Sequence, residues 1–283
     1  MVALAMVAGF TISSCSKSKT DETVTTSTYN TSDEVASTNL VAKFSFENAL
    51  TDAKGNITNG TSKNTSYIAG AKGQAFHGSD SGYVLYTGVG SAISGLKSVT
   101  ISTWVKTTPH TDGAESWFQL LNDSNWIGNM FILQESGAVG NDSTRIKFTI
   151  DNWNASAWKE QWVDLDKNRI TIGNDVWHHV VCSYNATTSK AAVYVDGKNM
   201  NIPASLSDRF QDDPTKGGVA LGELAFKNAT RFVFGCYNQS LPGNTPDAWM
   251  KNFNGGLDEF RIYNKALADA DVTALYELEK AGK

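Results

Sequence analysis

Short runs of alternating apolar and polar residues recur along most of this chain, and each ends near a cluster of Gly, Asn or Asp. Across residues 98–107, for example, Val99, Ile101 and Val105 fall on one side of an extended chain. Runs of this kind predict strands at residues 43–46, 74–78, 82–87, 98–107, 117–121, 130–134, 144–151, 177–184, 191–195, 231–236 and 257–263. Short strands at regular spacing predict an all-β fold in which two sheets pack face to face.

The segment 175–198 contains the clearest local motif. Two β-rich runs are joined by the polar turn 185–189, and the second run ends at Asp196-Gly197. Gly adopts positive φ angles at no steric cost, so Asp-Gly after an alternating run predicts a tight hairpin turn.

A helical pattern is found only near the C-terminus. One stripe of a helix would carry these apolar residues: Leu267, Val272, Leu275, Tyr276 and Leu278. Acidic residues at 269 and 271 would lie in its first turn, where the helix dipole favours negative charge. The pattern predicts a short C-terminal helix added to the sheets.

The composition narrows the class of protein. The net charge is −5 and the pI is about 5.4, which argues against nucleic acid as a partner because nucleic-acid binding needs a basic surface. Charged residues make up 19% and aromatic residues 11%, which is typical of a folded β protein rather than a disordered one. No internal apolar run approaches the roughly 20 residues that cross a bilayer.

The N-terminus has a separate organisation. Residues 1–15 are mostly apolar and end in Ile-Ser-Ser-Cys, which resembles a bacterial lipobox, so we predict a lipoprotein signal peptide with lipidation at Cys15. The alternative is an ordinary secretory peptide with an incidental Cys. Residues 16–39 are rich in Ser and Thr and predict a flexible tether, which leaves 40–283 as the folded domain. The expected location is the cell envelope, on the surface of the outer membrane, with only the lipid touching the bilayer.

Several pieces of the chain together resemble a known family. Beside the segment 175–198, these pieces are residues 46–56, 70–76, 100–106 and 255–267. In this order and spacing they resemble the laminin-G-like branch of the concanavalin A-like lectin/glucanase superfamily. The resemblance implies a two-sheet antiparallel jelly-roll sandwich with a short C-terminal helix. It also implies glycan recognition, with catalysis in only some branches.

Two stretches do not follow the family pattern. Residues 152–169 and 199–218 are interpreted as loop insertions, and loops are where a fold of this kind varies its ligand.

The sequence does not contain the motif that the resemblance implies for catalytic members of the superfamily. Those members carry Glu-x-Asp-x-x-Glu or a close variant on one strand, where the first two carboxylates share a face. The nearest match is Glu160 with Asp164, which has the wrong spacing. His178 and His179 are adjacent on a predicted strand and would point to opposite faces, so they cannot bind one metal ion together. A carboxyl pair drawn from different strands stays open.

A metal site is implied by the resemblance. Asp258 falls on the apolar side of its predicted strand, and a buried carboxylate needs a partner or a cation. In the family the first and last strands are antiparallel neighbours, and a structural Ca²⁺ is often held nearby. This implies Ca²⁺ ligands at Glu47, Asn48 and Asp258, with Asp52 in reserve. The alternative is that Asp258 accepts hydrogen bonds from turn amides without a metal.

Aromatic residues in polar surroundings suggest the ligand. An indole face can stack on the apolar face of a sugar while neighbouring amides and carboxylates bind its hydroxyls. The candidate ligand-binding residues are Trp126, Trp153, Trp158, Trp162, Tyr237 and Trp249. The alternative is that these rings pack under their own loops as a small core.

The sequence therefore predicts a cell-surface lipoprotein that binds carbohydrate, either a polysaccharide or another glycan, without cleaving it. A structural or adhesive protein-interaction module is the second possibility, and a glycoside hydrolase is the third. Cys182 and Cys236 could form a disulfide in an exported protein or remain buried thiols, and the sequence leaves both open.

Overall fold

Two sheets face each other across an apolar layer in the computed structural model, which describes residues 29–110, 112–122, 125–136, 142–153, 159–211 and 218–283. The strands in these residues are β1 (Leu40–Phe44), β2 (Ile57–Lys63), β3 (Ser66–Ala69), β4 (Gln74–His77), β5 (Tyr83–Val89), β6 (Val99–Lys106), β7 (Ala114–Leu120), β8 (Met130–Ser136), β9 (Ser143–Asn152), β10 (Lys159–Asp164), β11 (Ile170–Thr171), β12 (His178–Asn185), β13 (Lys190–Val195), β14 (Lys198–Asn199), β15 (Phe232–Phe234), β16 (Met250–Asn252) and β17 (Gly256–Tyr263). The helices are α1 (Ser91–Ser94), α2 (Ala204–Ser207) and α3 (Asp269–Lys280).

The strand order confirms the predicted two-sheet sandwich. The eight-stranded sheet runs β14-β13-β12-β6-β17-β4-β3, and β1 also pairs with β17. The nine-stranded sheet runs β10-β9-β8-β7-β15-β5-β2, with β11 beside β9 and β16 beside β7. The described pairs are antiparallel except β16 with β7. The first and last strands pair antiparallel, as the family resemblance implied.

Alternation along each strand decides which side chains enter the core. In β6, Val99, Ile101 and Val105 lie between the sheets, while Trp104 faces the other way. Between the sheets, seven phenylalanine rings pack at the centre: Phe44, Phe46, Phe76, Phe118, Phe232, Phe234 and Phe260. Neighbouring rings in this cluster lie 4.9–6.3 Å apart between centroids. Burying each ring contributes about 1.5–3 kcal/mol relative to leaving it exposed.

The predicted hairpin joins β12 to β13 through residues 185–190, and a second tight turn follows at Asp196-Gly197. Both turn residues have positive φ angles, 49° at Asp196 and 75° at Gly197. A Cβ atom on Gly197 would also lie 2.9 Å from the ring of Tyr276. This turn therefore needs Gly both for its backbone and for its contact with α3.

The C-terminal helix covers the outer face of the eight-stranded sheet. It begins at Asp269, so the acidic residues 269 and 271 lie in its first turn as predicted, and it buries Val272, Leu275 and Leu278. These side chains pack in a second apolar cluster against Val181 and other outward-facing strand residues. None of the helices within the described ranges is long and apolar enough to span a bilayer.

A buried charge network joins α3 to the last strand. The Arg261 guanidinium is 0% exposed and contacts three carboxylates: Glu279 at 2.8 Å, Glu259 at 2.6 Å and Asp33 at 2.8 Å. Burial lowers the pKa of Arg261, but these carboxylates outweigh burial and raise it. Glu279 also accepts a hydrogen bond of 2.7 Å from the indole of Trp104.

The folded part begins before the predicted boundary at residue 40. Residues 29–39 were predicted to belong to the tether, but they form two 3₁₀ turns, at Ser32–Glu34 and Ser37–Asn39. Val35 is 0% exposed against the α3 cluster, and the Ser32 hydroxyl donates to the carbonyl of Lys283 at 2.7 Å. Apolar packing and ion pairs hold this segment, which its Ser/Thr-rich composition does not indicate.

The predicted face of Asp258 is wrong. A β-bulge lies between Asp258 and Arg261 in the pairing with β6, and Glu259 has a φ of 44°. Leu257 and Phe260 therefore enter the core, while Asp258 pairs with Trp104 on the outward side. An extra residue in a strand reverses the alternation beyond it.

The stretch 152–169 is not wholly a loop, because it contains β10 at the edge of the nine-stranded sheet. In the stretch 199–218, the described residues include the end of β14 and the short helix α2.

Cys182 and Cys236 are both buried free thiols, and burial raises the pKa of each. The disulfide alternative is therefore wrong for this structure.

Replacing Arg261 should reveal how much the buried charge network contributes. Arg261→Met leaves Glu259 and Glu279 buried without their partner, so we expect the free energy of unfolding to fall by about 3–5 kcal/mol. Lys265→Met is the matched control, since Lys265 is 41% exposed and 3.8 Å from Asp271. The control should change stability by less than about 0.5 kcal/mol. Urea unfolding measures both, and equal losses would contradict the proposed role of the network.

Candidate functional site

Aromatic side chains gather on the outer face of the nine-stranded sheet. Phe131 on β8, Thr149 on β9 and Trp162 on β10 stand in one cross-strand row. Their neighbours in each strand, such as Ile132 and Phe148, point into the core. We call the outward cluster the aromatic patch; its members are Trp126, Phe131, Trp162, Tyr237 and Trp249.

The three indoles of the patch lie close together. The Trp126 ring is 6.4 Å from Trp162 and 5.4 Å from Trp249, measured between centroids. Trp126 and Trp249 are in edge-to-face contact, with their ring planes 80° apart. Trp126 and Trp162 are partly buried, and Trp249 is 38% exposed.

Two fully buried rings form the floor of the patch. Phe131 and Tyr237 are each 0% exposed, and both contact the indoles above them. The Tyr237 hydroxyl donates to the carbonyl of Ala114 at 3.1 Å. Burial raises the pKa of Tyr237 well above its usual value, so this hydroxyl stays protonated. Because neither floor ring reaches solvent, only the indoles above can touch a ligand.

Hydrogen bonds fix the segments that carry the indoles. The Gln119 amide donates to the carbonyls of Trp126 and Ile127, at 2.6 and 2.7 Å. The Trp249 carbonyl accepts from the Ala114 amide at 2.8 Å. Gly113, with a φ of 142°, lets the chain pass that carbonyl where a Cβ atom would collide with it. The backbone segments that carry Trp126 and Trp249 are therefore tied to β7.

Polar groups surround the rings. The Trp162 indole donates to Glu160 at 2.7 Å, and the Asn125 amide donates to Asp151 at 2.9 Å. Lys147 lies 5.9 Å from the centre of the Trp162 ring. Amides and carboxylates are thus available beside an apolar surface, which is the combination that sugar hydroxyls require.

The structure assembles four of the six predicted ligand-binding residues. Trp126, Trp162, Tyr237 and Trp249 meet in the patch, although Tyr237 lies beneath it. Trp153 is not among the ring contacts of the patch, and its ring faces Lys227 at 4.3 Å. Trp158 lies outside the described residues. Phe131 was missed because an apolar residue in a strand indicates a core position.

A second candidate is a polar pocket of about 400 Å³ at the rim of the sandwich. Its lining consists of Asp80, Thr108, His110, Asp112, Glu115, Lys251, Asn252 and Asn254. Sequence reasoning did not single out this set, because its members come from separate segments and form no motif.

Glu115 is the buried carboxyl of the rim pocket. It is 8% exposed, and burial raises its pKa. Gln134 donates to it at 2.6 Å and the Asn254 amide at 3.2 Å, while the His110 ring lies 3.5 Å away. Most of its acceptor capacity is used within the protein, so Glu115 anchors the rim loops as much as it faces the pocket.

The adjacent histidines do not form a site. His178 contacts Asp196 at 2.9 Å on the surface side, whereas His179 is fully buried and lies 2.8 Å from the Ser102 hydroxyl. Burial lowers the pKa of His179 to about 3, so that imidazole is neutral. Their opposite orientation confirms the prediction from strand alternation.

Two of the three predicted calcium ligands accept hydrogen bonds from the turn between β3 and β4. Asp258 accepts from the Lys72 amide at 2.9 Å, and Glu47 accepts from the Gln74 amide at 3.1 Å. The other oxygen of Asp258 accepts from the Glu259 amide at 2.8 Å. Burial raises the pKa of Asp258 to about 8. Asn48, beside Glu47, is exposed.

Asp52, the reserve ligand, is also engaged by the backbone. Its two oxygens accept four amide hydrogen bonds, from residues 43, 54, 56 and 57, at 2.8–3.0 Å. In the described residues, no group of three His, Cys, Asp or Glu side chains is arranged to hold a metal. The carboxylates fit the alternative in which turn amides replace a cation, and calcium stays a prediction without a contact to support it.

Adding a chelator tests whether turn amides or Ca²⁺ satisfy these carboxylates. Because amides already satisfy Asp52 and Asp258, we expect the melting temperature to be unchanged by excess EDTA. Differential scanning calorimetry with and without added Ca²⁺ measures this. A fall of several degrees that Ca²⁺ reverses, and that Asp258→Asn abolishes, would restore the calcium site.

The sequence of this chain matches the model of a known family. The laminin G model of the concanavalin A-like lectin/glucanases superfamily matches residues 77–273, which is more than half of the chain. The chain therefore belongs to the concanavalin A-like lectin/glucanases superfamily. No curated protein matches the chain.

Solved structures with the same fold include glycan-binding proteins. Domain 4 of the extracellular arabinanase AbnA from Geobacillus stearothermophilus, solved with arabinotriose, has a TM-score of 0.51 and 23% identity, covering 84% of this chain and 98% of that one. Botulinum neurotoxin type C, whose cell entry depends on two ganglioside molecules, has a TM-score of 0.57 and 16% identity, covering 87% of this chain and 53% of that one. The binding domain of botulinum neurotoxin DC with rat synaptotagmin II has a TM-score of 0.55 and 16% identity, covering 86% of this chain and 52% of that one. This chain spans about half of those neurotoxin chains, and identities this low show the fold alone.

Proposed function

We propose that this protein binds carbohydrate through the aromatic patch and does not cleave it. The observation that carries the proposal is the set of three indoles on the outer face of the nine-stranded sheet, where the Trp126 ring lies 6.4 Å from Trp162 and 5.4 Å from Trp249 between centroids. A pyranose or furanose ring has an apolar C–H face that can stack on one indole. Its hydroxyls would then meet Glu160 and Asn125 beside the rings.

The structural neighbours support this proposal at the level of the fold. The arabinanase domain holds arabinotriose, and type C neurotoxin depends on gangliosides. Their sites are not transferred to this chain, because a shared fold does not fix a site. Non-catalytic recognition is proposed because the sequence lacks the paired carboxylates on one strand that cleavage in this superfamily uses.

A protein-interaction role receives less support. The neurotoxin domain bound to synaptotagmin II shows that the fold can take a protein partner. Protein docking generally uses a continuous exposed apolar patch. Among the described residues, the large apolar side chains that are strongly exposed are Val176, Val219 and Trp249, which lie in separate segments. This distribution favours a small aromatic site over a broad docking surface.

Removing one exposed ring tests the patch. Trp249→Ala deletes a stacking surface without opening the core, so we expect at least about a tenfold loss in affinity for whichever glycan binds. Native affinity electrophoresis against arabinan, xylan and β-glucan identifies the ligand, and calorimetry gives the Kd.

His110→Ala is the matched control, because it changes the rim pocket and leaves the patch intact. Its Kd should stay within about twofold of the parent value. A large loss in this control with none in Trp249→Ala would move the site to the rim pocket. No binding of the folded protein to any glycan would reject the proposed function.

We also propose that the protein is a lipoprotein anchored through Cys15 and exposed on the outer membrane. Cys15 lies outside the described residues, so the support is the Ile-Ser-Ser-Cys sequence after an apolar stretch. One diacylglyceryl group together with an N-terminal acyl chain would give stable anchoring.

Replacing Cys15 tests the anchor. In a bacterial host, the parent protein should enter the detergent-rich phase of a Triton X-114 partition, and Cys15→Ser should not, because the thiol that carries the lipid is lost. Cys236→Ser provides a cysteine control, since that thiol is buried. Equal partitioning of parent and Cys15→Ser would contradict lipidation.

A further inference from the structure

A row of charged residues lies beside the aromatic patch. Arg145, Lys147 and Thr149 are every second residue along β9 and therefore share its outward face. Across the two neighbouring strands, Arg145 is opposite Glu135, and Lys147 is opposite Asp164. The face that carries the indoles thus also carries a band of opposite charges.

Both cations of this band are occupied by carboxylates. Arg145 binds Asp164 through two nitrogens, at 2.7 and 2.5 Å, and contacts Glu135 at 3.0 Å. Lys147 forms an ion pair with Glu135. The hydrogen bond with Asp164 raises the pKa of Arg145, which keeps the guanidinium charged and paired. A bidentate pair of this kind is the strong form of an ion pair.

Acids outnumber bases on this face. The described side chains of the band are three acids, Glu135, Glu160 and Asp164, and two bases, Arg145 and Lys147, while Asp166 beside it pairs with Arg169. Lys251, two residues after Trp249, is also engaged, because it lies 3.4 Å from Asp112.

We infer that the aromatic patch selects uncharged glycans, meaning neutral or N-acetylated sugars, over polyanionic ones. This inference rests on the proposed function and names its ligand class. A uronate or sulfate would approach a face of net negative charge where each described cation already has a partner, so it would be repelled without compensation. This repulsion does not act on a glycan with free amines, so the selectivity is directed against polyanions alone.

Paired ligands that differ only in charge test this selectivity. Galactan and polygalacturonate form one pair, and N-acetylated and de-acetylated chitin oligosaccharides form another. Calorimetry should give a Kd at least about tenfold lower for galactan than for polygalacturonate, whereas the cationic de-acetylated oligosaccharide should show no such loss relative to its N-acetylated form. The Kd for galactan should change by less than about twofold between about 0.05 and 0.5 M salt, because stacking and neutral hydrogen bonds are not screened.

A charge variant tests the cause. Glu135→Gln releases Lys147 and one contact of Arg145, so binding of polygalacturonate should rise several-fold at low salt. Binding of the uncharged ligand should stay unchanged. Glu277→Gln is the control, since it makes the same charge change on an exposed position of α3. Asp164→Asn is a second variant that releases Arg145 from β10, and it decides the question if Glu135→Gln lowers the melting temperature.

The outcomes separate this inference from the proposed function. Binding of polygalacturonate by the parent protein that is as tight as that of galactan, or about a tenfold loss on de-acetylation of chitin, would overturn the selectivity and leave glycan binding intact. An equal gain of polygalacturonate binding in Glu277→Gln and Glu135→Gln would overturn the assigned cause. Failure of the folded protein to bind any of the four ligands, or the polysaccharides tested with Trp249→Ala, would overturn both.

Discussion

Packing of aromatic rings between the two sheets is the constraint on which the rest of the structure depends. Once Ile132 and Phe148 lie in that layer, alternation turns Phe131 and Thr149 to the opposite face. The candidate site is therefore set by the core. Since interiors pack as densely as crystals, the floor of the patch has little freedom to move. A preformed surface of this kind loses little entropy when a ligand binds.

The sequence could predict strands with a regular pattern and missed those without one. β6 and β12 alternate clearly and lie close to the predicted positions. β2 has one buried residue among seven, and β10 is mostly polar, so neither carries a periodic signal. The bulge at Asp258 depends on pairing with β6, a long-range property that local alternation cannot contain. The interpretation of residues 152–169 as a loop missed β10, because the pairing of β10 with β9 is also a long-range property.

The residue types of the site were predictable, but their assembly was not. Trp126, Trp162 and Trp249 are distant in sequence, and their contact depends on the order β10-β9-β8-β7 with β16 beside β7. Composition suggested indoles in polar surroundings, yet it could not distinguish the buried floor ring Tyr237 from exposed ones. The rim pocket was missed because Glu115 meets Gln134 only through the pairing of β7 with β8.

The packed segment before β1 and the aromatic patch lie on opposite sides of the domain. Arg261 donates hydrogen bonds to Ser32 and Asp33, and Ser32 donates to the carbonyl of Lys283, on the side that α3 covers. The indoles lie on the opposite outer surface of the sandwich. The first described residue, Tyr29, donates a hydrogen bond to Asp271 of α3, so the described chain begins at the back of the domain. A molecule tied down through that end would present its rings outward, and tethering and capture would not compete for the same side.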